Sequence, residues 1–433
     1  MYKKLISKIK SKKINVCIIG LGYVGLPLAF RFLDASISVI GIDNDISKIN
    51  KIKSGISYIE NKNFKKNRLY REFQKKAADT YTNVREADVI ILCLPTPLSK
   101  NKSPDMSLLK NCIVKIKKFV KLNQTLILES TVYPGATIEL FNLLNSDKKF
   151  ILGKNFFLGF SPERENPGDK SFSYNSTPKV ISGFSKQCLS IGYFLYKEIC
   201  KKVYKAHSIK VAELSKLLEN TYRSVNIGLI NEFKIIAKKL DVNIWDIIAA
   251  AKTKNFGFRP FNPGPGVGGH CIPIDPIYLS WYMKNKNYNS KIIEISSTLN
   301  SSMPIWVCNQ IFNYLKKNKI KTNKLLIIGL AYKKNTADTR ESPSIDIMKK
   351  FINKKFHVEF YDPYVKKFDF KSKYFKNKSL TLQSIKKYKK DGIIIIGTDH
   401  KNINYKKILE NSKLIFDSRG VYYKNKSKKI IFV

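Results

Sequence analysis

A glycine triplet that directly follows a short apolar run restricts the possible folds of this chain more than any other feature. Residues 14–19, Ile-Asn-Val-Cys-Ile-Ile, have the length of a buried strand, and Gly20-Leu-Gly22-Tyr23-Val24-Gly25 follows at once. Leu26 to Leu33 then has the composition of a helix. Glycines at a strand-to-helix turn permit a tight turn, close approach of a pyrophosphate and close helix packing. The stretch predicts the start of a dinucleotide-binding α/β domain.

An acidic residue ends the next predicted strand and supports that interpretation. The segment Ser38-Val-Ile-Gly-Ile-Asp43 places a carboxylate 18 positions after Gly25, where it can accept from a ribose 2′-hydroxyl. A chance cluster of glycines would not be followed by strand and acid in this order. The cofactor expected from Asp43 is NAD rather than NADP.

Further strands are predicted at 88–94, 125–129 and 157–160, with helical stretches between them, as in a parallel sheet. In such a sheet, ligands bind outside the carboxyl ends of the strands. Thr96 and Thr131 follow two of these strands and are candidates for contact with cofactor or substrate. The alternative is that their hydroxyls bond only to nearby backbone.

One long helix is predicted over 209–240, because apolar residues recur at helical spacing without a proline. Its apolar stripe must be buried, either against a flanking domain or against a twofold mate. Lys216 and Asn220 lie at i and i+4 on one face of this helix and could address one pocket. Spacing alone favours a solvated pair.

A Gly- and Pro-rich loop, Gly264-Pro-Gly-Val-Gly-Gly-His270-Cys271-Ile-Pro-Ile-Asp275, holds a thiol four residues before a carboxylate. Glycines bring substrate close to the backbone, and prolines restrict the loop. An accessible thiolate suits covalent catalysis. The loop alone is equally compatible with an incidental cysteine, since cysteine is often a small buried apolar residue.

A second α/β unit is predicted after Met303-Pro304, with strands at 324–329, 357–361, 392–396 and 413–416. It lacks the three-glycine pattern, so a second dinucleotide is not expected. The loop 331–342 carries Lys333 and Arg340 ahead of a helix that starts at Pro343, which could form an anion cradle or merely a capped helix end.

Composition narrows the function classes. The formal charge of +46 would suit nucleic acid or anionic membrane, but lysines are scattered along the whole chain and no nucleic-acid module is recognisable, so neither partner is expected. The seven cysteines form no metal-binding spacing and no disulfide framework, which fits a reducing cytoplasm and predicts no metal. No signal peptide or membrane span is expected.

These pieces, in this order, resemble the UDP-glucose/GDP-mannose dehydrogenase family over nearly the whole chain. The matching segments are 20–25, Pro95-Thr-Pro97, Glu129-Ser-Thr-Val132, Ser161-Pro-Glu163, Glu213-Leu-Ser-Lys216 with Asn220, Gly266 to Cys271 with Asp275, and Lys333 through Asp338-Thr-Arg-Glu-Ser342. Five or more independent motifs in the correct order are highly specific. Phe160 to Gly168 and Gly269 to Pro276 look most like the branch that acts on UDP-N-acetylhexosamines.

The resemblance implies roles for individual residues. The implied catalytic residues are Cys271, Lys216, Asn220, Asp275, Thr131 and Glu163. Cys271 would be the nucleophile, and Lys216 and Asn220 would surround the reacting oxygen. Asp275 and Thr131 would help to handle protons and water, and Glu163 would lie near cofactor and substrate. The implied cofactor contacts are Gly20, Gly22, Tyr23, Val24, Gly25, Asp43, Thr96, Thr131 and Arg340, and the implied substrate contacts are Glu163, Arg164, Lys216, Asn220, Arg259, Phe261, Gly268 and Lys333. Arg259 would reach the site of a neighbouring subunit. His270 and Ile274 depart from UDP-glucose dehydrogenases, which usually have Ser and Lys there, and Ile274 removes one cofactor contact.

The resulting expectation is an α/β protein with two Rossmann-like, doubly wound parallel-sheet domains joined by a long central helix. The expected domains are 1–207 for NAD, 208–303 for the central helix, catalytic loop and dimerisation, and 304–433 for the UDP-sugar. The expected activity is two-step, NAD-dependent oxidation of the C6 alcohol of UDP-N-acetylglucosamine by a homodimer or higher oligomer. UDP-glucose, UDP-N-acetylmannosamine and UDP-N-acetylgalactosamine are alternative substrates. A single-step hydroxyacid dehydrogenase and a nucleic-acid or membrane-surface binder are alternatives from other classes.

Overall fold

The chain divides into two compact units, Met1–Glu219 and Asn220–Val433. The structure, a computed structural model, describes residues 2–59, 63–99, 101–164 and 177–433. Within those ranges, no helix combines the length and the apolar character needed to cross a bilayer. Residues 165–168, the end of the segment Phe160 to Gly168 that resembles the UDP-N-acetylhexosamine branch, lie outside the described part.

The first unit is built on a sheet that has seven strands among the described residues. They are β1 Asn15–Ile19, β2 Ser38–Ile42, β3 Val89–Leu92, β4 Thr125–Leu128, β5 Phe157–Phe160, β6 Lys179–Gly183 and β7 Val203–Lys205. Their order in the sheet is β2-β1-β3-β4-β5-β6-β7. All neighbouring pairs are parallel except β5 and β6. Short, fully buried runs such as β3 form the centre, because apolar strands in a parallel sheet need cover on both faces.

Helices lie before and between these strands. They are α1 Tyr2–Lys10, α2 Gly25–Asp34, α3 Ile46–Lys53, α4 Arg68–Lys76, α5 Ser107–Lys117, α6 Ala136–Leu144 and α7 Lys186–Lys197, with a 3-10 turn at Thr82–Glu86. Apolar residues of α2 and α7 join those of β1 in one core. The predicted strands and glycine turn are therefore confirmed, whereas β6, β7 and the antiparallel pairing of β5 with β6 were not predicted.

The second unit contains a parallel sheet with five strands, ordered β12-β11-β10-β8-β9. These strands are β8 Lys324–Ile328, β9 His357–Tyr361, β10 Ile393–Ile396, β11 Ile415–Asp417 and β12 Ile430–Phe432. Its helices are α9 Ile244–Ala251, α10 Asp275–Lys284, α11 Lys291–Lys317, α12 Pro343–Asn353 and α13 Tyr405–Glu410, with a 3-10 turn at Ser384–Lys389. The expected class, α/β with two Rossmann-like sheets and a long helix, is confirmed. The sequence analysis missed β12, which is only three residues long.

The long helix α8, Ile209–Lys239, has the predicted bounds but an unusual distribution of side chains. The apolar stripe is largely exposed within this chain: Leu218 is 67% exposed and Leu229 52%. The buried positions are instead mostly polar and include Glu213, Lys216, Ser224, Asn231 and Lys234. Of the two possibilities for the stripe, burial by a flanking domain is wrong for most of its length.

The helix that was expected to end near Met303-Pro304 does not end there, because α11 runs through Pro304, and the domain boundary expected at this point stays a prediction. Proline cannot donate to the carbonyl of residue i−4, here Asn300, and normally disrupts a helix. Met303, Pro304 and Val307 are buried, and this packing maintains the helix. A Cβ on Gly266 would lie 3.3 Å from the Asn300 carbonyl oxygen, so a glycine loop covers the freed acceptor.

Candidate active site

The turn after β1 can close only with glycine at two positions. Gly20 has φ of +94°, and a Cβ there would lie 2.6 Å from the Cys93 carbonyl oxygen. A Cβ on Gly25 would lie 1.8 Å from the Gly20 carbonyl oxygen. Gly22 is different: no atom outside its chain neighbours lies within 4 Å of its Cβ position. That open side, ahead of the N-terminus of α2, fits a dinucleotide pyrophosphate.

Asp43 ties the glycine turn to the end of β2. Its carboxylate accepts from the Leu21 N–H at 2.7 Å and from the Asp45 N–H at 2.9 Å. Lys48 Nζ lies 3.2 and 3.3 Å from the two carboxylate oxygens. Tyr23 and Val24 lie in the turn itself, with Tyr23 half-exposed. Lys48 was missed because it lies on a helix face, where its sequence signal is that of any surface lysine.

The loops after β3 and β4 meet through the two threonines named from the sequence. Thr96 Oγ1 donates to the Thr131 carbonyl at 2.8 Å, and Thr96 is buried. Backbone bonding, the alternative considered for loop hydroxyls, therefore accounts for the Thr96 hydroxyl. Cofactor contact through these residues stays a prediction.

Two ion pairs lie in the first unit, close to the end of β5. Lys216 Nζ of α8 pairs with Glu163 at 3.5 Å, and both side chains are largely buried. Arg164 donates to Glu219 and, at 2.8 Å, to the Pro178 carbonyl. The two carboxylates thus fix cations that the sequence analysis assigns to substrate.

A buried ion pair supports this segment. Lys179 Nζ lies 2.7 Å from Glu129 and donates to the Pro162 carbonyl at 3.2 Å. Tyr196 donates to the same Glu129 carboxylate. The pair joins the ends of β4 and β5 next to Thr131 and Glu163. Lys179 was missed, although a lysine starting an apolar strand is a usable signal.

Glu213 connects α8 to α6 within the first unit. This fully buried carboxylate accepts from the Gly135 N–H at 2.7 Å and from the Thr137 N–H and Oγ1 at 3.1 and 2.7 Å. It thereby caps the N-terminus of α6, whose preceding residue Gly135 has φ of +96°. Burial raises the pKa of Glu213, and the hydrogen bonds to Gly135 and Thr137 oppose that rise.

The Cys271 loop lies in the second unit and leads directly into α10. The Cys271 carbonyl accepts from the Ile274 N–H at 3.1 Å and the Asp275 N–H at 2.8 Å, and the Cys271 side chain is partly exposed. Asn220 of α8 donates through Nδ2 to the buried Asp275 carboxylate. Asp275, Asn220 and Cys271 are thus linked, as the sequence analysis predicts for a common site.

Two contacts fix the glycine-rich part of this loop. The Gly264 N–H donates to Asn231 Oδ1 at 3.0 Å, and the Gly269 N–H donates to the Arg340 carbonyl at 3.1 Å. A Cβ on Gly268 would lie 2.4 Å from the Glu341 carbonyl oxygen. The loop therefore packs against residues 331–342 so closely that only glycine fits.

Four more residues of the second unit were predicted to contact cofactor or substrate, and each has different neighbours. Lys333 is partly buried, and Arg340 pairs with Asp338 at 2.6 Å. Arg259 is exposed, and the Phe261 ring centroid lies 6.0 Å from that of Tyr222. Their roles toward ligands stay predictions.

His270 directly precedes the thiol and is partly buried. Its Nε2 is buried with no hydrogen-bond partner among the described residues. Burial, followed by the nearby Arg340 guanidinium, lowers the pKa of His270, and Asp338 opposes this only in part. The lowered pKa favours the neutral imidazole, which adds no positive charge beside the thiol.

The sequence analysis also missed two buried cations. Arg419 donates through Nε to the Gly397 carbonyl at 2.7 Å, and a Cβ on Gly264 would lie 2.7 Å from an Arg419 terminal nitrogen. Lys234 Nζ of α8 lies 3.4 Å from the Ser418 carbonyl. Both cations come from segments without a recognisable motif, so only the fold reveals them.

Three domain models of one family match the chain in order. The UDP-glucose/GDP-mannose dehydrogenase NAD-binding domain matches residues 14–206, the central domain 210–302 and the UDP-binding domain 326–424. A UDP-N-acetyl-D-mannosamine dehydrogenase of Methanococcus maripaludis is 34% identical over 420 residues, covering 94% of this chain and 93% of the relative. A UDP-N-acetyl-D-glucosamine 6-dehydrogenase of Pseudomonas aeruginosa is 36% identical over 359 residues, covering 82% and 84%. Among solved structures, UDP-D-ManNAc dehydrogenase from Pyrococcus horikoshii gives a TM-score of 0.83 at 30% identity, with 97% and 98% coverage.

Proposed function

This chain belongs to the UDP-glucose/GDP-mannose dehydrogenase family, and we propose that it oxidises the C6 alcohol of a UDP-N-acetylhexosamine to the carboxylate. It is an NAD-dependent UDP-sugar dehydrogenase. The observation that carries the proposal is the glycine-rich loop around Cys271, which is anchored by backbone hydrogen bonds and leads into Asp275, to which Asn220 donates. Such an anchored thiol is suited to hold an aldehyde between two oxidation steps.

The chemistry requires the loss of four electrons from one carbon. When bound, NAD accepts these electrons, two for each molecule of cofactor. The Cys271 thiolate adds to the intermediate aldehyde, forming a C–S bond and a thiohemiacetal. Oxidation of that adduct gives a thioester, and water then breaks the C–S bond to release the acid and the thiol. The covalent bond prevents loss of the aldehyde.

Other residues named in the sequence analysis supply charge and proton handling in this proposal. The dipole of α10 favours negative charge on the preceding loop, and therefore the thiolate of Cys271. Asp275, held by Asn220, is assigned to handle protons and water, together with Thr131. Lys216 is assigned to the reacting oxygen, with Glu163 as its counter-ion. Removing one such oxyanion donor typically lowers kcat by about a hundredfold or more.

UDP-N-acetylglucosamine is the substrate that we propose first. Its support is the segment Gly269-His270-Cys271-Ile272-Pro273 and the P. aeruginosa relative named for that activity. UDP-N-acetylmannosamine is the second candidate, because the relatives from M. maripaludis and P. horikoshii carry that name. The two sugars differ only in configuration at C2.

We also propose that the enzyme is a cytoplasmic homodimer. The exposed stripe on α8 supports a twofold contact, because contiguous apolar surface of this length is costly in water. Arg259, exposed in the single chain, is proposed to reach the partner's site. The seven free cysteines suit a reducing compartment.

The proposal is tested by measuring NADH formation with UDP-N-acetylglucosamine, UDP-N-acetylmannosamine, UDP-N-acetylgalactosamine and UDP-glucose. We expect two NADH for each sugar consumed, whereas a single-step hydroxyacid dehydrogenase would give one. A kcat/KM for UDP-glucose about tenfold above that for each of the three UDP-N-acetylhexosamines, ~1.4 kcal/mol in transition-state free energy, would refute the substrate assignment.

A further inference from the structure

A buried histidine in the second unit has both ring nitrogens engaged. His400 follows β10 and is fully buried. Its Nδ1 lies 2.9 Å from the backbone nitrogen of Asn335, and its Nε2 lies 3.1 Å from Asp362 Oδ2. No motif in the sequence marks this residue, and the mechanism above does not use it.

The two contacts assign the protonation state of the ring. A backbone N–H can only donate, so Nδ1 must be the acceptor and cannot carry a proton. The proton therefore resides on Nε2, which donates to the Asp362 carboxylate. Protonation of Nδ1 would place two donors face to face, so this geometry requires a neutral imidazole.

Asp362 anchors the beginning of the loop at residues 330–342. Its Oδ2 accepts from the Leu330 N–H at 2.7 Å and the Ala331 N–H at 3.1 Å. Its Oδ1 accepts from the Tyr364 and Val365 N–H groups at 2.8 and 3.0 Å. All these donors are backbone groups, so the carboxylate has a fixed position on which His400 can be oriented.

His400 also anchors the middle of the same loop. Asn335 has φ of +60°, and its Oδ1 accepts from the Lys401 N–H at 3.0 Å, so it is held on both its backbone and its side chain. Lys333 lies between the points anchored at Ala331 and Asn335. The loop then continues to Arg340, whose carbonyl accepts from the Gly269 N–H of the Cys271 loop.

We propose that His400 is a positioning residue for UDP-sugar binding, because it holds the segment that carries Lys333 in one conformation against Asp362. The inference rests on the proposed function, since Lys333 is the cation assigned to substrate there. Fixing a ligand-binding loop before binding lowers the ordering entropy that binding must offset. His400 itself touches no substrate.

Three substitutions separate the two hydrogen bonds. His400→Asn places an amide oxygen near the Nδ1 position, where it can accept from Asn335. His400→Gln places an amide nitrogen near the Nε2 position, where it can donate to Asp362, but it loses the Asn335 contact. His400→Ala loses both. The matched control is Tyr388→Phe, which removes buried hydrogen bonds to Leu325 and Glu359 in the same unit.

The measurement is the Kd for UDP alone by calorimetry on the full chain, with the thermal unfolding midpoint of each variant. We expect His400→Gln and His400→Ala to weaken UDP binding about tenfold, ~1.4 kcal/mol. His400→Asn should stay within about threefold of wild type, and Tyr388→Phe should be destabilised with an unchanged Kd. If folded His400→Gln binds UDP with the wild-type Kd, the proposal is overturned. This test with His400→Gln is decisive even if His400→Ala fails to fold.

A second measurement separates this inference from the proposed function. If the wild-type chain binds no UDP, the proposed function fails, and amide hydrogen exchange of residues 332–337 then decides on His400. We expect faster exchange there in His400→Gln than in Tyr388→Phe. Equal protection in the two variants would overturn the positioning role.

Discussion

Asp43 and Asp362 make the same hydrogen bond in two different sheets. Each carboxylate ends the second strand of its sheet and accepts, at 2.7 Å, the N–H of the leucine that follows a glycine turn, Leu21 or Leu330. The glycines before those leucines, at positions 20 and 329, both have positive φ. The two turns thus use one local solution for joining neighbouring strands.

The remaining partners of the two carboxylates differ. Lys48, a partly exposed side chain, pairs with Asp43 and can be displaced by a ligand. The other partners of Asp362 are backbone N–H groups and the buried His400. Of these two carboxylates, only Asp43 can therefore exchange its contact with a lysine for contacts with ribose hydroxyls.

Replacement of Asp43 tests that difference. We expect Asp43→Asn to raise the KM for NAD about tenfold or more and to raise the kcat/KM ratio of NADP to NAD, because the 2′-phosphate no longer meets a carboxylate and Lys48 remains nearby. The measurement is steady-state kinetics with both cofactors. Asp45→Asn, in the neighbouring helix cap, is the control and should leave the ratio unchanged. An unchanged ratio in Asp43→Asn would show that this acid does not select the cofactor.

Replacement of the nucleophile tests the covalent mechanism. We expect Cys271→Ser to lower NADH production by several orders of magnitude while UDP binding persists, because serine is a poor nucleophile without a dedicated base. Any ester that forms should hydrolyse slowly and appear as a sugar adduct in intact-mass spectra. Cys112→Ala, a buried thiol on α5 whose pKa burial raises to about 12, is the control. Retention of more than about a tenth of wild-type turnover in Cys271→Ser contradicts the mechanism.

The exposed stripe of α8 predicts a dimer. Leu229 and Phe233 lie one helical turn apart and are 52% and 43% exposed. We expect Leu229→Glu and Phe233→Glu to shift the chain from dimer to monomer, because each places a charge in an apolar contact. Light scattering after gel filtration measures the shift. Ile46→Glu, at an exposed apolar position of α3, should have no effect, and a fully active wild-type monomer at micromolar concentration contradicts the prediction.

Lys234 predicts a pH dependence of stability. Burial, then the charge of Arg419, lowers its pKa from the usual 10.5 to about 7, and Asp417 opposes this only in part. Between these two values the unfolded chain binds a proton that the folded chain does not, so the Lys234 contribution makes the free energy of unfolding rise with pH. The destabilisation is complete below about pH 7 and is of the order of 5 kcal/mol.

The corresponding variant is Lys234→Met, which removes the buried ammonium. We expect its stability relative to wild type to be higher at pH 6 than at pH 10, as measured by urea unfolding at both pH values. Lys239→Met, at the exposed end of the same helix, should show no such difference. If Lys234→Met changes the free energy of unfolding equally at both pH values, this lysine does not titrate between pH 6 and pH 10 in the folded chain.

The sequence predicts what depends on local pattern. The turn at Gly20 and the strand before it follow from neighbouring residues, because backbone sterics and apolar run length act locally. The stripe on α8 is also visible, but periodicity indicates only that an apolar face exists and not what covers it. The helix end expected at Pro304 was wrong, since burial of Met303 and Val307 outweighs the missing hydrogen bond.

Long-range polar pairs were beyond sequence reasoning. Glu129 and Lys179 are 50 positions apart, and Asp362 and His400 are 38 apart. Each pair forms because separate strand ends meet at one edge of a sheet, and no spacing rule connects such residues. The first pair positions the segments after β4 and β5, and the second positions the loop 331–342. The motifs in these segments are visible in the sequence, although the pairs that hold them are not.

The unequal accessibility of the thiols makes Cys271 a practical handle. Cys17, Cys112 and Cys308 are buried, and burial raises the pKa of each, so they resist alkylation. Cys271 is partly exposed at the start of a helix. A mild electrophile applied in limited amount would therefore label this loop first, and the label incorporated per chain would count the competent sites in any preparation. The same selectivity offers a starting point for covalent inhibitors.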